Sequence, residues 1–221
     1  RSTPSNSSAA SDVYKRQHRD ALDNKEVPAS LTIVGGGVIG MEFASFFTSL
    51  GVQVTVVEML DEILGGMDKE LSAMLRAEYA KKGIKFLLST KVVEVSKGET
   101  GITVSYENAD GAGTVTADKL LMSVGRRPVT KGFGLENLNL EWTERRCIKV
   151  DEHLQSSVPG VYVCGDLNGV SLLAHTAVRE AEVAVHHITG KEDAMSYRAI
   201  PGVVYTCLLY TSPSPRDRSL S

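Results

Sequence analysis

The sequence is short of cysteine, has no long apolar run and has no run of like charge. It contains three cysteines in 221 residues, and neither Cys147 nor Cys164 belongs to a closely spaced pair, which indicates structural thiols. No apolar stretch could span a bilayer, and the first residues lack a signal-peptide core. Lysine and arginine form no stripe, and no metal-ligand spacing occurs. We therefore expect a cytoplasmic protein with no metal and no membrane or nucleic-acid partner.

What is present is the composition of an ordinary globular protein. Hydrophobic residues make up 42% and charged residues 23% of the chain, and the net charge is -3. The length allows one or two domains, and there are no internal repeats.

The most informative stretch runs from Leu31 to Glu58 and reads LTIVGGGVIGMEFASFFTSLGVQVTVVE. A short apolar run at 31–34, a glycine-rich turn at 35–40, a helical pattern that continues through Leu50 and a second apolar run at 54–57 predict strand, turn, helix and strand. In a dinucleotide-binding turn, Gly35 allows the tight bend, Gly37 lets the backbone approach a pyrophosphate, and Gly40 lets the helix pack close to the strand. Glycines that serve the turn alone are the alternative interpretation.

Both ends of this motif point to the same ligand. The free N–H groups at the helix start, where Val38 and Ile39 lie, would face the phosphates. Glu58 closes the second strand, where a carboxylate accepts hydrogen bonds from the adenine-ribose hydroxyls and repels a 2′-phosphate. The pattern therefore predicts NAD(H) rather than NADP(H).

The two ends of the chain look foreign to the rest. Ser7–Gln17, SSAASDVYKRQ, and Cys207–Asp217, CLLYTSPSPRD, match in-frame translations of opposite DNA-sequencing library adapters. Natural disordered tails are the alternative. We interpret residues 18–206 as the biological part and expect them to be an internal fragment of a longer protein.

The remaining pattern predicts mixed α/β structure. A helix over residues 69–82, with Asp68 as its N-cap, is followed by strands at 84–87, 91–96, 102–106, around Val115 and at 119–124. Residues 91–106 alternate in polarity around a glycine, which predicts an antiparallel hairpin or meander. Further short strands are expected at 148–151 and 201–206. A helix over 172–188 has an apolar face of Ala174, Val178, Ala181 and Val185.

Seven segments together resemble the flavoprotein disulfide reductases, and among them most closely the dihydrolipoyl dehydrogenases. The segments are GGGVIGMEFA, VTVVE, SVGRRP, GLENLNLE, VYVCGD, LLAHTAVREAEVAVHHI and IPGVVYT, in this order. The resemblance implies an α/β fold: a Rossmann-like NAD-binding domain with an antiparallel meander, and the second part of a split FAD-binding domain. The implied segments are adapter-derived ends without structure at 1–17 and 207–221, a linker at 18–28, the NAD domain at 29–126, the FAD part at 127–198 and the start of a dimerisation domain at 199–206.

The resemblance also implies cofactor roles for individual residues. Gly35, Gly37, Val38, Ile39, Gly40 and Glu58 would bind NAD, with Glu42 near the nicotinamide, Val92 beside the adenine and Gly125 in contact with NAD. Asp166 would accept a hydrogen bond from the ribityl chain of FAD. Leu172, Leu173, Ala174 and His175 would offer backbone N–H groups to the flavin, where the helix dipole favours negative charge. Glu42 as a solvated helix residue and Asp166 as a turn former are the plainer alternatives.

What the sequence lacks limits what it could catalyse. The family's two redox cysteines, four residues apart, its first flavin-binding glycines and its C-terminal His–Glu pair are absent, so no catalytic residue is expected. The resemblance implies a parent that is a homodimer serving a 2-oxo acid dehydrogenase or glycine-cleavage complex. A fragment of a mercuric reductase or NADH oxidase, and a nucleotide-binding module with no redox role, remain open.

Overall fold

The computed structural model describes residues 15–16, 21–99 and 101–206. The chain divides into two compact units. One unit, here the sheet unit, comprises the described residues of Ser7–Gly125 and Gly202–Ser221. The other, here the helix unit, is Arg126–Pro201. Within the described part of the chain, no helix is long and apolar enough to cross a membrane.

The sheet unit is built on a five-stranded parallel sheet. In chain order its elements are β1 (Lys15–Arg16), β2 (Ser30–Val34), α1 (Val38–Ser49), β3 (Gln53–Val57), α2 (Lys69–Lys81), β4 (Lys85–Leu87) and β8 (Lys119–Met122). The strand order is β1-β8-β2-β3-β4. The central strands are apolar along their whole length because both faces of a parallel sheet are covered, and Ile33, Val56 and Leu120 are fully buried.

A separate antiparallel meander interrupts this pattern between β4 and β8. It consists of β5 (Lys91–Lys97), β6 (Ile102–Asn108) and β7 (Gly111–Ala117), hydrogen-bonded in the order β5-β6-β7. Its inner face carries Ile102 and Val104, which pack with Val34 and Leu120 of the parallel sheet. The predicted α/β class with a parallel sheet and an antiparallel insertion is confirmed.

The second helix of the sheet unit begins where the sequence predicts. The Asp68 side chain accepts hydrogen bonds from the N–H groups of Glu70 and Leu71, at 2.9 and 3.1 Å. These two bonds satisfy donors that have no partner inside the helix. The chain leaves the helix at Gly83, whose φ of +93° lies in the left-handed region.

The helix unit has little regular structure before its one long helix, α3 (Ala174–Ile188). Two 3-10 turns, Leu135–Asn137 and Gly165–Leu167, and three isolated β-bridges precede α3. Leu140, Ile148 and Val163 form one small core, and Leu154, Val183 and Ala184 form another.

Three expectations about local structure are wrong. Residues 148–151 form no strand, because only Ile148 and Val150 pair, each in an isolated bridge to a different partner. Residues 201–206 form no strand; Tyr205 and Thr206 contact α1, where the Ser45 hydroxyl donates to the Thr206 carbonyl. The expected lack of structure in 1–17 does not hold for Lys15–Arg16, which pair with β8. The other residues of 1–17, and all of 207–221, lie outside the described residues.

The expected packing face of α3 is also wrong. Val178 and Val185, assigned to the buried face from their spacing, are 62% and 55% exposed. The buried face instead carries Thr176, Glu180 and Val183. Periodicity identified an apolar stripe correctly, but the helix unit packs against a different side of the helix.

Candidate cofactor-binding residues

Two glycines of the turn after β2 are required by the fold itself. Gly35 has a φ of +105°, and a β-carbon there would lie 2.2 Å from the Ser123 carbonyl oxygen at the end of β8. A β-carbon at Gly40 would lie 2.1 Å from the carbonyl oxygen of Gly35. Any side chain at either position would collide with backbone that cannot move aside, so these two glycines let strand, turn and helix pack closely.

Gly37 differs, because none of the residues that the structure describes requires it to be glycine. Its φ of -71° and ψ of -179° are accessible to any residue. A β-carbon there would have no neighbour within 4 Å among the described residues. It is the N-cap of α1 and makes no side-chain capping bond. The first N–H groups of a helix have no acceptor inside it, so a glycine here leaves them open to a ligand. The residues present therefore fit a pyrophosphate over Gly37, Val38 and Ile39.

The carboxylate of Glu58 lies directly beside this turn. Its Oε2 accepts a hydrogen bond from the Gly36 N–H at 2.5 Å, and its Oε1 accepts one from the Leu60 N–H at 2.8 Å. These bonds hold the group at the end of β3, next to the mouth of the glycine turn. A carboxylate held there can accept hydrogen bonds from ribose hydroxyls, and it repels an added phosphate.

The structure gives two other predicted NAD residues partners within the sheet unit. Glu42, in α1, accepts a hydrogen bond from the Tyr205 N–H at 2.9 Å, so it helps to hold the segment 202–206. Val92 is half-buried and packs with Val34, Ile102 and Leu120. Their predicted positions near nicotinamide and adenine stay predictions.

Gly125 follows β8 at the carboxyl edge of the parallel sheet. Its φ is +105°, and a β-carbon there would meet nothing within 4 Å. The backbone conformation explains why glycine is needed, and the open surroundings leave room for a ligand at the edge where ligands of such sheets bind.

The predicted FAD residues lie together in the helix unit. Asp166 is exposed in the 3-10 turn, and its Oδ2 lies 4.0 Å from a guanidinium nitrogen of Arg126. Leu173 is the N-cap of α3 and gives no side-chain capping bond, while Leu172, Ala174 and His175 are exposed around it. An exposed carboxylate and an uncapped helix start fit one half of a flavin site: the carboxylate can accept hydrogen bonds from hydroxyls, and the helix start can donate them to the ring.

Sequence reasoning missed a hydrogen-bonded pair, Glu180 and Tyr197, next to the turn that carries Asp166. Glu180 is 0% exposed, and its carboxylate accepts hydrogen bonds from the Gly165 N–H and from the Tyr197 hydroxyl. Burial, reinforced by this hydrogen bond to Glu180, raises the pKa of Tyr197. Burial also raises the pKa of the Cys164 thiol, with the Glu180 charge as a second cause. Glu180 lies two positions after Val178, away from the apolar stripe of the helix. Its position off that stripe was the sequence signal that could have indicated it.

A glycine turn that joins parallel strands to the start of a helix defines a Rossmann-type α/β protein. The sequence pattern of one such family, described as pyridine nucleotide-disulphide oxidoreductase, matches residues 5–181. The chain belongs to this family. The matched range begins inside the segment that we interpret as adapter sequence, so the adapter origin of 7–17 stays a prediction.

Relatives and solved structures agree with this assignment. Dihydrolipoyl dehydrogenase 3 of Pseudomonas putida is 42% identical over 84% of this chain and 40% of its own length. The mitochondrial dihydrolipoyl dehydrogenase of Caenorhabditis elegans is 41% identical over 84% of this chain and 38% of its own. The crystal structure of LpdA from Mycobacterium tuberculosis superposes with a TM-score of 0.81 and 29% identity, over 93% of this chain and 44% of that one.

A second solved structure with a similar fold is that of a flavoprotein disulfide reductase with a different name. The Cu(II) complex of the HOCl-induced flavoprotein disulfide reductase RclA of Escherichia coli gives a TM-score of 0.78 at 25% identity, over 87% of this chain and 43% of that one. The chain thus spans about 40% of the length of the curated relatives named above.

Proposed function

We propose that the sheet unit binds NAD(H). The observation that carries this is the contrast within the glycine turn: Gly35 and Gly40 are glycines because backbone lies against them, whereas Gly37 has open space beside it. An uncapped helix start behind an open glycine is suited to a pyrophosphate. The anchored carboxylate of Glu58 then favours NAD(H) over NADP(H).

The helix unit contributes part of an FAD site in this proposal. Asp166 would accept a hydrogen bond from the ribityl chain, and the backbone from Leu172 to His175 would donate to the flavin ring. FAD supplies two-electron redox chemistry when it is bound. The residues of this chain bind and orient it, and the positive end of the α3 dipole favours negative charge on the ring.

The parent protein would be a homodimeric dihydrolipoyl dehydrogenase of the cytoplasm. It would pass electrons from dihydrolipoyl groups through a disulfide and FAD to NAD+, and serve a 2-oxo acid dehydrogenase or glycine-cleavage complex. The curated relatives named above, at 41 and 42% identity, support this choice. The second candidate is another flavoprotein disulfide reductase, because RclA is also similar in structure. It ranks second because its identity, 25%, is lower.

The chain by itself would bind nucleotide without catalysing the reaction. Its cysteines are Cys147, Cys164 and Cys207, and no two of them are four residues apart. Cys147 and Cys164 are free thiols, and Cys147 is buried. A chain without a redox disulfide cannot accept electrons from dihydrolipoyl thiols, so we expect no turnover of that substrate.

The test is a titration of the chain with NADH and NADPH, followed by nucleotide fluorescence and thermal shift. We expect tighter binding of NADH and a rise in unfolding temperature with NADH concentration, because the ligand binds the folded state. Glu58→Gln should weaken NADH binding, and Glu58→Arg should shift the preference toward NADPH.

Glu94→Arg is the matched control, since Glu94 is an exposed glutamate on β5 and the substitution makes the same change of charge. It should leave both affinities unchanged. Equal affinity of the folded chain for NADH and NADPH, or no binding of either, would show that the glycine turn is structural here.

A further inference from the structure

The Gly165–Leu167 turn packs against α3 and is hydrogen-bonded to it. Gly165 is buried with a φ of +72°, and a β-carbon there would lie 3.2 Å from the β-carbon of Ala177 in α3. One turn further along the same helix, Glu180 accepts the hydrogen bond of the Gly165 N–H. The turn that presents Asp166 is therefore fixed to the helix by one close contact and one charge-assisted hydrogen bond.

The second oxygen of the Glu180 carboxylate is held by a residue beyond the end of α3. The Tyr197 hydroxyl donates to Glu180 Oε1 at 2.8 Å. A buried carboxylate needs donors for both oxygens, because an unpaired buried charge is costly. Without the Tyr197 hydroxyl, one oxygen of the buried Glu180 carboxylate would lose its donor, so the carboxylate would move toward another partner and its bond to Gly165 would weaken.

The segment that carries Tyr197 is itself tied to α3. Asp193 accepts hydrogen bonds from Arg179 at 2.6 Å and from His186 at 2.6 Å. The Arg179 guanidinium, with His186 as a second cause, holds the pKa of Asp193 well below its usual range. Outside the helix, the Met195 N–H donates to the Glu152 carbonyl at 2.8 Å and holds the same segment. These contacts place the Tyr197 hydroxyl over the middle of the helix.

We propose that Glu180 and Tyr197 are positioning residues for the FAD part of the site. They touch no cofactor; they set the place of Asp166 by fixing the amide of the preceding Gly165. This inference rests on the proposed function, because it assumes that Asp166 receives a hydroxyl of FAD. It adds to that proposal a hydrogen-bonded pair, the buried Glu180 and the half-buried Tyr197, on which the FAD affinity depends.

The experiment compares Glu180→Gln and Tyr197→Phe with the unmodified chain. FAD binding is followed by flavin fluorescence, NADH binding by nucleotide fluorescence, and the Gly165 amide by NMR in the absence of FAD. A hydrogen bond to a charged group typically contributes enough for about a tenfold change in affinity. We expect each variant to weaken FAD binding by about tenfold, to shift the Gly165 amide signal upfield and to leave NADH affinity unchanged.

Two substitutions serve as matched controls. Tyr162→Phe removes another half-buried hydroxyl of the helix unit, one that contacts His187 at 2.7 Å. Glu144→Gln removes the charge of an exposed glutamate of the same unit. Both should leave the affinity for FAD and the Gly165 amide unchanged. Tyr197→Phe preserves the ring and its packing, so it remains informative even if Glu180→Gln fails to fold.

The outcomes separate this inference from the function on which it rests. If the unmodified chain binds NADH but no FAD, the inference about its FAD affinity is overturned, whereas the NAD part of the proposed function stands. If the chain binds FAD and Tyr197→Phe binds it equally well, the positioning inference alone is overturned. An unshifted Gly165 amide in Tyr197→Phe overturns it too, because the postulated link to the turn is then absent.

Discussion

The carbonyl oxygen of Ser123 lies 2.2 Å from the place that a β-carbon at Gly35 would occupy. The end of β8 and the first residue of the glycine turn thus touch backbone to backbone. Gly37, two residues later, has no such neighbour. The surrounding backbone requires glycine at position 35, whereas we propose that a bound ligand requires it at position 37, which gives two predictions with opposite outcomes.

Gly35→Ala should destabilise the sheet unit without any ligand present. The substitution strains a backbone at φ +105° and drives a methyl group into the Ser123 carbonyl. We expect a loss of at least about 2 kcal/mol in the free energy of unfolding. Urea denaturation monitored by circular dichroism measures it, and an unfolding midpoint equal to that of the unmodified chain would contradict the geometry.

Gly37→Ser should have the reverse effect. Serine is a favourable N-cap, and the backbone at Gly37 suits it, so the urea midpoint should stay the same or rise. The new side chain projects into the space proposed for the pyrophosphate, and NADH affinity should fall at least about tenfold. Unchanged NADH affinity in Gly37→Ser would place the nucleotide elsewhere.

The sheet unit could be predicted from its sequence because its signals are local. Apolar strands, the glycine turn and the Asp68 cap depend on neighbours a few residues away, and the structure agrees with the sequence within one or two residues for β2, α1 and α2. The motif assigned different roles to Gly35 and Gly37, but it could not show which backbone excludes a side chain at Gly35. That contact is with Ser123, which is remote in sequence.

The helix unit was harder to predict because its contacts are not periodic. Residues 148–151 have strand composition, but only Ile148 and Val150 pair, each in an isolated bridge. The role of Glu180 arises from Tyr197 and Gly165, which lie 17 and 15 positions away on either side. No rule of helical spacing connects these three residues, so only the folded structure brings them together.

Asp68→Ala should destabilise the sheet unit by about 1 kcal/mol. The substitution leaves the N–H groups of Glu70 and Leu71 without their acceptor. Asp61→Ala is the matched control, because the pair of Asp61 with Lys69 is 73% and 79% exposed and contributes little. Urea denaturation should separate the two variants; equal midpoints would show that the cap does not stabilise α2.

Stability should fall in acid partly through Glu62. Its hydrogen bonds with Arg76, at 2.8 and 2.9 Å, hold the pKa of Glu62 below the ordinary value of 4.5. A group whose pKa is lowered by folding stabilises the protein above its unfolded pKa and loses that effect as pH falls through the folded pKa. The window is therefore below about pH 4.5.

Glu62→Gln isolates this contribution, because the amide does not titrate in that range. The unmodified chain should be more stable than Glu62→Gln at pH 7, and the difference should shrink as the pH falls below 4.5. Urea midpoints measured from neutral to acid pH provide the comparison. A difference independent of pH would mean that the lost stability came from packing and not from the charge of Glu62.

The apolar stripe on α3 should make the chain self-associate. Val178, Val185 and Ile188 are 62%, 55% and 61% exposed and share one helix face with Ala174 and Ala181. A continuous apolar stripe is costly in water, and monomers that expose one tend to bury it against each other. We expect the mean particle mass in light scattering to rise with concentration.

Lysine on the stripe should reverse this behaviour. The double substitution Val178→Lys with Val185→Lys leaves the buried face of Thr176, Glu180 and Val183 untouched, so it should keep the helix and lower self-association. Val27→Lys, at an isolated valine that is 60% exposed in the sheet unit, should have little effect. If the unmodified chain is monomeric at all concentrations and melts in one sharp transition, then the exposed stripe does not drive association, and the helix unit is stable without a partner for it.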